Sequence, residues 1–287
     1  MKENTKYQNN FQTPSDWEIV KIKDIAEVVR GSSPRPKGDP RFYGGSIPRL
    51  MGEDITRDGK YVNPQIDSLT EEGAKHGRVM KKGTLVMICS GNVGVPAILS
   101  VKASVHDGFL AFPEINSNAS TEFLYYIFNS LIHKFNSSAT HGGIFTNLTT
   151  NIIKNFTLPL PPLSEQQKIA AILSTVDEKI ENIDQQIEQT ESLKKGLMQR
   201  LLTRGIGHTR FQSSPLGEIP ESWEVTKLNK VINQIKGGGT PSKKKPSYWN
   251  GNIPWATVKD LTKSFLSSTQ EHITEEGLTD SSTNLIP

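Results

Sequence analysis

The stretch Phe156-Thr-Leu-Pro-Leu-Pro-Pro-Leu-Ser-Glu-Gln-Gln167 separates two kinds of chain. Its three prolines cannot continue a helix or a central strand, so the sequence predicts that a folded module ends here. Ser164 and Gln167 have the spacing of a capping box, in which each side chain bonds the backbone N–H of the other residue. We therefore expect a helix to begin at this point.

The chain after this stretch has the composition of one long helix. It has no proline as far as Thr203, and Gly196 is its only glycine. Apolar residues recur in the heptad spacing of a coiled coil, at Ile169, Leu173, Val176, Ile180, Ile183 and Ile187. At about 1.5 Å per residue, a helix over 163–205 would be roughly 60 Å long. So narrow an apolar seam does not stabilise an isolated helix. We therefore expect these six residues to pair with a partner helix. The alternative is that the helix packs along its own domain.

The chain before this stretch reads as a mixed module. Residues 1–16 are polar and predict a loosely attached tail. Over 17–162, short β-rich runs alternate with Gly, Pro, Asn and Asp clusters, and 121–133 has the apolar face of a helix. The pattern favours an α+β fold with a mixed or largely antiparallel sheet.

The beginning of this module recurs after the helix. Trp17-Glu-Ile-Val-Lys-Ile22 matches Trp223-Glu-Val-Thr-Lys-Leu228, and Tyr43-Gly-Gly-Ser-Ile-Pro48 matches Trp249-Asn-Gly-Asn-Ile-Pro254. The repeat is too long for a solenoid, whose units run roughly 20–50 residues. The sequence therefore predicts a duplicated domain.

The second copy is shorter than the first. It covers 223–287 and is joined to the helix by a predicted linker over 206–222. The part of the first copy that it matches ends near Met80, so we expect the second domain to be incomplete. Either a truncated gene or a second polypeptide that supplies the remainder would account for this.

Composition excludes little. The 33 basic and 30 acidic residues give a formal net charge of +3, which permits nucleic-acid binding without arguing for it. Cys89 is the only cysteine, so an internal disulfide is excluded and a reducing cytoplasm fits. No apolar run approaches the roughly 18 residues of a membrane span.

No catalytic constellation stands out. The chain lacks a Gly-x-x-x-x-Gly-Lys-Ser/Thr phosphate loop and any His-x-x-x-His pair, so we expect no bound cofactor and no metal. Asp177-Glu-Lys179 has the order of a nuclease carboxylate–lysine step, but on a heptad helix such charges are more often a solvated flank. Ser90-Gly-Asn-Val-Gly94 predicts a turn between two strands.

The order of these motifs resembles one family, the specificity subunit of type I restriction–modification enzymes. The resemblance rests on the Trp-Glu openings, the loops Gly31-Ser-Ser-Pro34 and Gly238-Gly-Thr-Pro241, and the run Asn151–Ile169 that leads into the long helix. It covers nearly the whole chain from Trp17.

The resemblance implies a non-catalytic DNA-recognition subunit. Each module would be a target recognition domain that binds half of a split DNA site, and two antiparallel spacer helices would fix the gap. Its partners would be double-stranded DNA, modification subunits that methylate adenine with S-adenosylmethionine, and restriction subunits that use ATP. Two copies of the chain paired through this helix would form a homodimer. A non-DNA coiled-coil adaptor, an inactive truncated remnant and a stand-alone nuclease or methyltransferase remain alternatives, although the methyltransferase motif is missing.

Loop chemistry and the resemblance together nominate a DNA-binding face. Arg and Lys bind phosphates, and Arg and Asn read base edges in the major groove. The candidates are Arg35, Lys37, Arg41, Arg49, Asn92, His141 and Asn147. Arg35 and Arg49 are the stronger candidates for base contacts. The alternative is that surface loops are polar in any protein.

Overall fold

The computed structural model describes residues 14–142, 145–261 and 265–286. The chain forms two compact units, one ending at Thr190 and the other beginning at Glu191. The boundary falls within a long helix, and each unit is described by itself. The domain limits inferred from the sequence remain a prediction.

The first unit contains thirteen described strands, most of them short. They are β1 (Glu18–Lys21), β2 (Val29–Arg30), β3 (Tyr43–Leu50), β4 (Tyr61–Val62), β5 (Asp67–Leu69), β6 (Val79–Met80), β7 (Leu85–Ile88), β8 (Pro96–Leu99), β9 (Ala103–Val105), β10 (Phe109–Phe112), β11 (Thr140–Gly142), β12 (Phe145–Asn147) and β13 (Thr157–Leu160).

Six short helices and the start of the long one complete this unit. The short helices are α1 (Ile22–Ile25), α2 (Gly52–Asp58), α3 (Glu71–His76), α4 (Thr121–Ser130), α5 (Ile132–Ser138) and α6 (Thr150–Asn155). The long helix, α7, spans Leu163–Arg204.

Two sheets form the centre of the first unit. One has the order β2-β10-β7-β8-β4 and the other the order β5-β3-β9-β6. Most pairs are antiparallel, and β4–β8 and β3–β9 are parallel. The α+β class with a mixed sheet is confirmed. Ser90–Gly94 connects the antiparallel strands β7 and β8, as the sequence predicted.

The five-stranded sheet is buried on both faces. Leu85 and Met87 of β7 belong to the apolar cluster that includes α4, α5 and α6. The alternate residues, Val86 and Ile88, belong to the cluster shared with the four-stranded sheet. A strand covered on both sides has no polar face, so β7 is apolar at every position.

The predicted helix over 121–133 is broken near its end. Helix α4 begins after Ser120, whose Oγ accepts a hydrogen bond from Phe123 N–H, and it ends at Ser130. Leu131 departs from helical geometry, and a second helix follows. The Leu131 side chain is nevertheless buried in the core. The predicted apolar face is therefore right and the predicted length is not.

The two ends of the module lie side by side. Strands β1 and β13 pair antiparallel, with Glu18 opposite Leu160 and Lys21 opposite Thr157. Pro159 is tolerated in β13 because this is a two-stranded sheet, whose edges need no further hydrogen bonds. The ladder places the exit from the module beside its first strand.

The predicted capping box at the start of α7 is wrong. The helix begins at Leu163, two residues earlier than a cap at Ser164 requires. The Pro162 carbonyl accepts from the N–H groups of Glu165 and Gln166, so the proline residue starts the helix. The helix ends at Arg204, and Gly205 follows with the positive φ usual after a helix.

Gln166 joins three parts of the first unit. Its side chain is fully buried. Its Nε2 donates to the carbonyls of Pro161 (2.8 Å) and Asn118 (2.9 Å), and its Oε1 accepts from Ser120 N–H (2.8 Å). Every polar atom of this amide is thus satisfied, and the start of α7 is held against the loop that precedes α4.

Lys60 provides a second attachment about two turns along α7. Its Nζ is 2.6 Å from Glu122 Oε2, and it donates to Ser174 Oγ of α7 (2.8 Å). It also donates to Tyr126 OH (3.1 Å), which in turn donates to Asp177 (2.6 Å). Burial alone would lower the pKa of Lys60, but the hydrogen bonds to Glu122 and Tyr126 raise it above its usual value. The lysine is a charged link between the module and the helix.

The second unit begins with the end of α7, and its described residues add two antiparallel strand pairs, one α-helix and short 3-10 turns. Strands β14 (Phe211–Ser214) and β15 (Gly217–Pro220) form a hairpin within the predicted linker. Strands β16 (Trp249–Trp255) and β17 (Glu271–Ile273) pair antiparallel, and helix α8 spans Glu275–Thr279.

The strand pair of each copy has the same bulge. In both, two residues of the longer strand face one residue of the shorter strand. These groups are Tyr43 and Ile47 opposite Leu69 in the first copy, and Trp249 and Ile253 opposite Ile273 in the second. The repeated sequence therefore folds into the same local register.

The repeated Thr-Glu-Glu-Gly motif has one structural role. Thr70 and Thr274 each cap a helix by accepting from the N–H of the glycine three residues on, Gly73 (2.9 Å) and Gly277 (3.0 Å). A Cβ on Gly73 would come within 2.0 Å of a backbone carbonyl oxygen, and one on Gly277 within 2.5 Å. Only glycine allows the capped helix to approach the strand.

Apolar residues that are buried in the first copy are exposed in the second. Ile22 and Ile25 lie in the core beneath α6, whereas their counterparts Leu228 and Val231 are 62% and 63% exposed. The strands and helices that cover Ile22 and Ile25 have no counterpart among the described residues of the second unit.

Replacing Gln166 tests how α7 is held. We expect Gln166→Ala to lower the free energy of unfolding of the first unit by about 3 kcal/mol, because one backbone N–H and two backbone carbonyls lose their partner. The control is Gln167→Ala, which removes an exposed amide from the next position. Equal effects of the two changes would contradict the role given to Gln166.

Cys89 provides the measurement. It is the only cysteine and is fully buried, and burial raises its pKa to about 11. Its labelling by a thiol reagent at neutral pH therefore reports opening of the first unit, with no contribution from the second. The urea concentration at which labelling is half complete gives the stability difference.

Candidate nucleic-acid interface

A turn centred on Asp107 gathers the polar side chains at one end of the first unit. The turn connects the apolar strands β9 and β10. Ser33 Oγ donates to Asp107 Oδ1 (3.0 Å), and Arg35 Nη2 donates to Asp107 Oδ2 (3.0 Å). Arg30 Nε donates to the Asp107 backbone carbonyl (2.7 Å). One acidic residue thus organises Arg30 at the end of β2 and two residues of the segment that follows, Ser33 and Arg35.

Gly31 permits this arrangement. Its N–H donates to Phe109 O, and a Cβ at this position would come 2.0 Å from His106 O. The next residue, Ser32, donates its backbone N–H to Val105 O. The Gly-x-x-Pro motif of the sequence therefore brings a loop into backbone contact with the Asp107 turn.

Arg49 extends the network inward. It is buried, forms an ion pair with Asp67 of β5, and donates through Nη2 to Ser33 Oγ (3.0 Å). Its guanidinium lies over the Tyr43 ring, 5.5 Å from the centroid. A base contact by Arg49 remains a prediction, and it would require the guanidinium to leave Asp67. We name the series Asp67, Arg49, Ser33, Asp107 and Arg35 the Asp107 relay.

Asn147 lies beside the relay, and Asn92 lies in a turn that Asn147 contacts. Asn147 forms an isolated β-bridge with Ser90 at the start of the β7–β8 turn, and its Oδ1 is 3.5 Å from Arg30 Nη2. Asn92 is exposed in the same turn. The fold thus brings Arg35, Arg49, Asn92 and Asn147 to one end of the unit from four separate parts of the sequence.

The remaining candidates are not part of this network. Arg41 is exposed and forms a two-pronged pair with Asp39, with Nη2 2.6 Å from Oδ2. The hydrogen bond from Arg41 lowers the pKa of Asp39. Lys37 is exposed in the loop between Arg35 and Asp39. The side chain of His141 lies outside the described residues.

Sequence reasoning missed Arg30, Ser33, His106 and Asp107. The signal was present for the last two, because His-Asp-Gly separates two short β-rich runs, as a turn does. No signal identified Arg30 or Ser33, since their importance depends on a contact with a turn more than seventy residues away.

The charges of this cluster are partly balanced. Burial lowers the pKa of His106, and Gly108 N–H donates to its Nδ1 (2.8 Å), so the imidazole is neutral with the proton on Nε2. Although burial opposes ionisation of Asp107, the hydrogen bond from Ser33 lowers its pKa. Three guanidinium groups face two carboxylates, which leaves a net positive site.

The chemistry available here is recognition. Guanidinium and amide groups donate to phosphate oxygens and to base edges. Among the described residues, no group of three His, Cys, Asp or Glu side chains could hold a metal ion. In the same part of the chain, no helix has the length and apolarity needed to cross a membrane.

Comparison with protein families identifies the class. The family model described as the type I restriction modification DNA specificity domain matches residues 14–192. The chain therefore belongs to that family.

Several curated proteins are similar over most of the chain. The MjaVIII specificity subunit of Methanocaldococcus jannaschii is 29% identical over 96% of this chain and 65% of its own length. The MjaX specificity subunit of the same organism is 33% identical over 84% of this chain and 59% of its own length. The EcoR124I/EcoR124II specificity subunit of Escherichia coli is 30% identical over 58% of this chain. The chain thus spans less than two thirds of the length of each relative.

A solved structure shares the fold. The HsdS subunit from Thermoanaerobacter tengcongensis superposes with a TM-score of 0.51 at 21% identity, over 68% of this chain and 46% of that one. A chain from a type I R-M system assembly gives a TM-score of 0.52 at 19% identity, over 67% of this chain and 46% of that one.

Stability measurements separate the roles of the two arginines. We expect Arg49→Met to destabilise the first unit by about 2–3 kcal/mol, because a largely buried pair with Asp67 is broken. We expect Arg35→Ala to change stability by less than about 1 kcal/mol, because its pair with Asp107 is exposed. Cys89 labelling in urea measures both. A small effect at Arg49 would show that its ion pair is dispensable.

Proposed function

We propose that this chain is a DNA-recognition component of a type I restriction–modification enzyme, with the first unit binding one half of a bipartite site. The observation that carries the proposal is the convergence of arginine and asparagine side chains around Asp107, in a chain that belongs to the specificity-domain family. The relatives are specificity subunits of type I restriction enzymes, which supports the assignment.

The proposed role is binding without catalysis. Methyl transfer and DNA cleavage would belong to modification and restriction subunits, which would dock on this chain and carry S-adenosylmethionine and ATP. The chain itself would hold no cofactor. Purified alone, it is expected neither to methylate nor to cut DNA.

The proposed DNA face keeps most of the residues predicted from the sequence. It comprises Arg35, Lys37, Arg41, Asn92, His141 and Asn147. The burial of Arg49 favours a supporting role for this residue, and Arg30 is added because it contacts both Asp107 and Asn147.

Salt dependence tests this proposal. We expect the chain to bind duplex DNA with an affinity that falls steeply with salt, because each neutralised phosphate releases counterions. Lys37→Ala should weaken binding to all sequences alike and reduce the slope of log K against log salt by about 1. Fluorescence anisotropy with a labelled duplex measures both quantities.

The matched control is Lys82→Ala. Lys82 is also exposed, but it precedes β7 at the end opposite the Ser90–Gly94 turn, so its loss should leave the slope unchanged. Binding that is absent at low salt would refute the proposed function and favour a coiled-coil adaptor. Equal effects of the two lysine changes would place the DNA face elsewhere.

Helix α7 carries an exposed apolar seam that fits a partner helix. Leu173, Val176, Ile180, Ile183 and Ile187 are each between 38% and 54% exposed. Ile169 differs, because it packs against the core of its own module. The proposed pairing surface therefore begins at Leu173, and an equivalent helix from a second copy or from another polypeptide would cover it.

Charged substitutions in the seam test the pairing. We expect Ile180→Asp with Ile183→Asp to abolish self-association or assembly with modification subunits, because two carboxylates would be buried in an apolar interface. The first unit should stay folded, since both side chains are half exposed in the single chain. Sedimentation measures association, and Cys89 labelling checks the fold.

The control places the same charges outside the seam. Asn182→Asp with Gln186→Asp adds two carboxylates on exposed positions of the same helical turns. If this control dissociates the complex as strongly as the seam variant, charge on α7 alone accounts for the effect and the seam is not the interface.

A further inference from the structure

We propose that Asp107 is a positioning residue that sets the base specificity of Arg35, at the cost of general DNA affinity. This rests on the proposed function, since it concerns how the same face discriminates between sequences. The supporting feature is the continuous Asp107 relay, which connects a buried ion pair to an exposed guanidinium.

The inner end of the relay is fixed. Arg49 has only 6% of its side chain exposed, and its ion pair with Asp67 joins the neighbouring strands β3 and β5. Because Arg49 also donates to Ser33 Oγ, the hydroxyl proton of Ser33 is left to point at Asp107. The orientation of the serine is therefore determined by the sheet.

The outer end of the relay is presented to solvent. The exposed fraction of the side chain rises from 6% at Arg49 to 48% at Asp107 and 69% at Arg35. One Asp107 oxygen is held by Ser33 and the other binds Arg35. The Arg35 guanidinium is exposed, but Asp107 holds it through Nη2. Its other N–H groups therefore point in a fixed direction and can donate to a ligand.

An exposed ion pair of this kind contributes little to stability, so its effect is expected in recognition. A long flexible side chain loses conformational freedom when it binds a base edge, and prior restraint reduces that loss. Bidentate contact by Arg with guanine is the commonest specific contact in the major groove. Asp107 would direct Arg35 toward such a contact.

The carboxylate has an opposite effect on affinity. Asp107 is a negative charge at the centre of a surface proposed to face phosphates, and it pairs with Arg35 beside Arg30 and near Arg49, which contacts Ser33. Its removal should strengthen binding to any duplex while weakening discrimination between duplexes. A residue that merely supported the fold would reduce both quantities together.

The test uses the full chain and a pool of duplexes with a random central segment, together with one fixed duplex that is not selected. For Asp107→Asn we expect about threefold tighter binding to the fixed duplex at low salt, because one repulsive charge is gone. We expect about tenfold weaker discrimination between bases at one or two adjacent positions of the enriched motif. These should be the same positions at which Arg35→Ala removes the base preference.

Two further variants separate the alternatives. Ser33→Ala breaks the relay without a change of charge, so it should weaken discrimination without the gain in affinity for the fixed duplex that Asp107→Asn shows. Glu72→Gln removes a carboxylate of similar exposure that pairs with Lys75 outside the relay, so the motif should be unchanged. Cys89 labelling confirms that each variant is folded.

The outcomes are distinct. If the wild-type chain binds no duplex at low salt, both the proposed function and this inference fail. If the wild-type chain enriches a motif and Asp107→Asn enriches the same motif, only the inference fails. The inference is also overturned if Asp107→Asn loses affinity and discrimination together. The same holds if Asp107→Asn removes the base preference at positions where Arg35→Ala leaves it unchanged.

Discussion

The buried amide of Gln166 is the constraint on which the first unit and its helix depend. A glutamine side chain in an apolar setting is costly unless both ends of the amide are bonded, and here both are. Its partners belong to the exit from β13 and to the loop before α4. Because these three hydrogen bonds can form only in one placement of α7, the direction in which the helix leaves the module is fixed within its first turn. Lys60 then holds the same helix farther along through Ser174.

The sequence predicted the parts of this structure that depend on local pattern. The apolar run of β7, the turn at Ser90–Gly94 and the long helix follow from periodicity and from glycine and proline. It did not predict the break at Leu131 or the true start of α7, since both are decided by tertiary contacts. The same holds for the candidate site. Loop chemistry nominated Arg35 and Asn147, whereas the role of Asp107 arises from a contact that local sequence does not encode.

The two copies of the repeat share a backbone arrangement but differ in the side chains on it. Arg49 and Trp255 occupy the same place in the bulged strand pair, opposite Asp67 and Glu271. In the first copy the acid pairs with Arg49, and in the second with Lys243 from the preceding loop. The caps and bulges that fix the backbone are retained, while the side chain directed at the acid is exchanged. Backbone register and surface chemistry are therefore set by separate residues of the motif.

The pairing of β1 with β13 has a mechanical consequence. Glu18 lies opposite Leu160, so the chain enters and leaves the module at the same end of a four-residue antiparallel ladder. Tension between the residues before β1 and helix α7 would first break the attachments of α7 at Ser174 and Gln166 and would then reach that end of the ladder, where it would separate the strand pairs one after another. A ladder pulled along its length would instead resist with all its hydrogen bonds at once. The ladder itself is therefore weak toward forces applied through the ends of the module, and the buried contacts of Gln166, which lie between α7 and the ladder, bear the load before it opens.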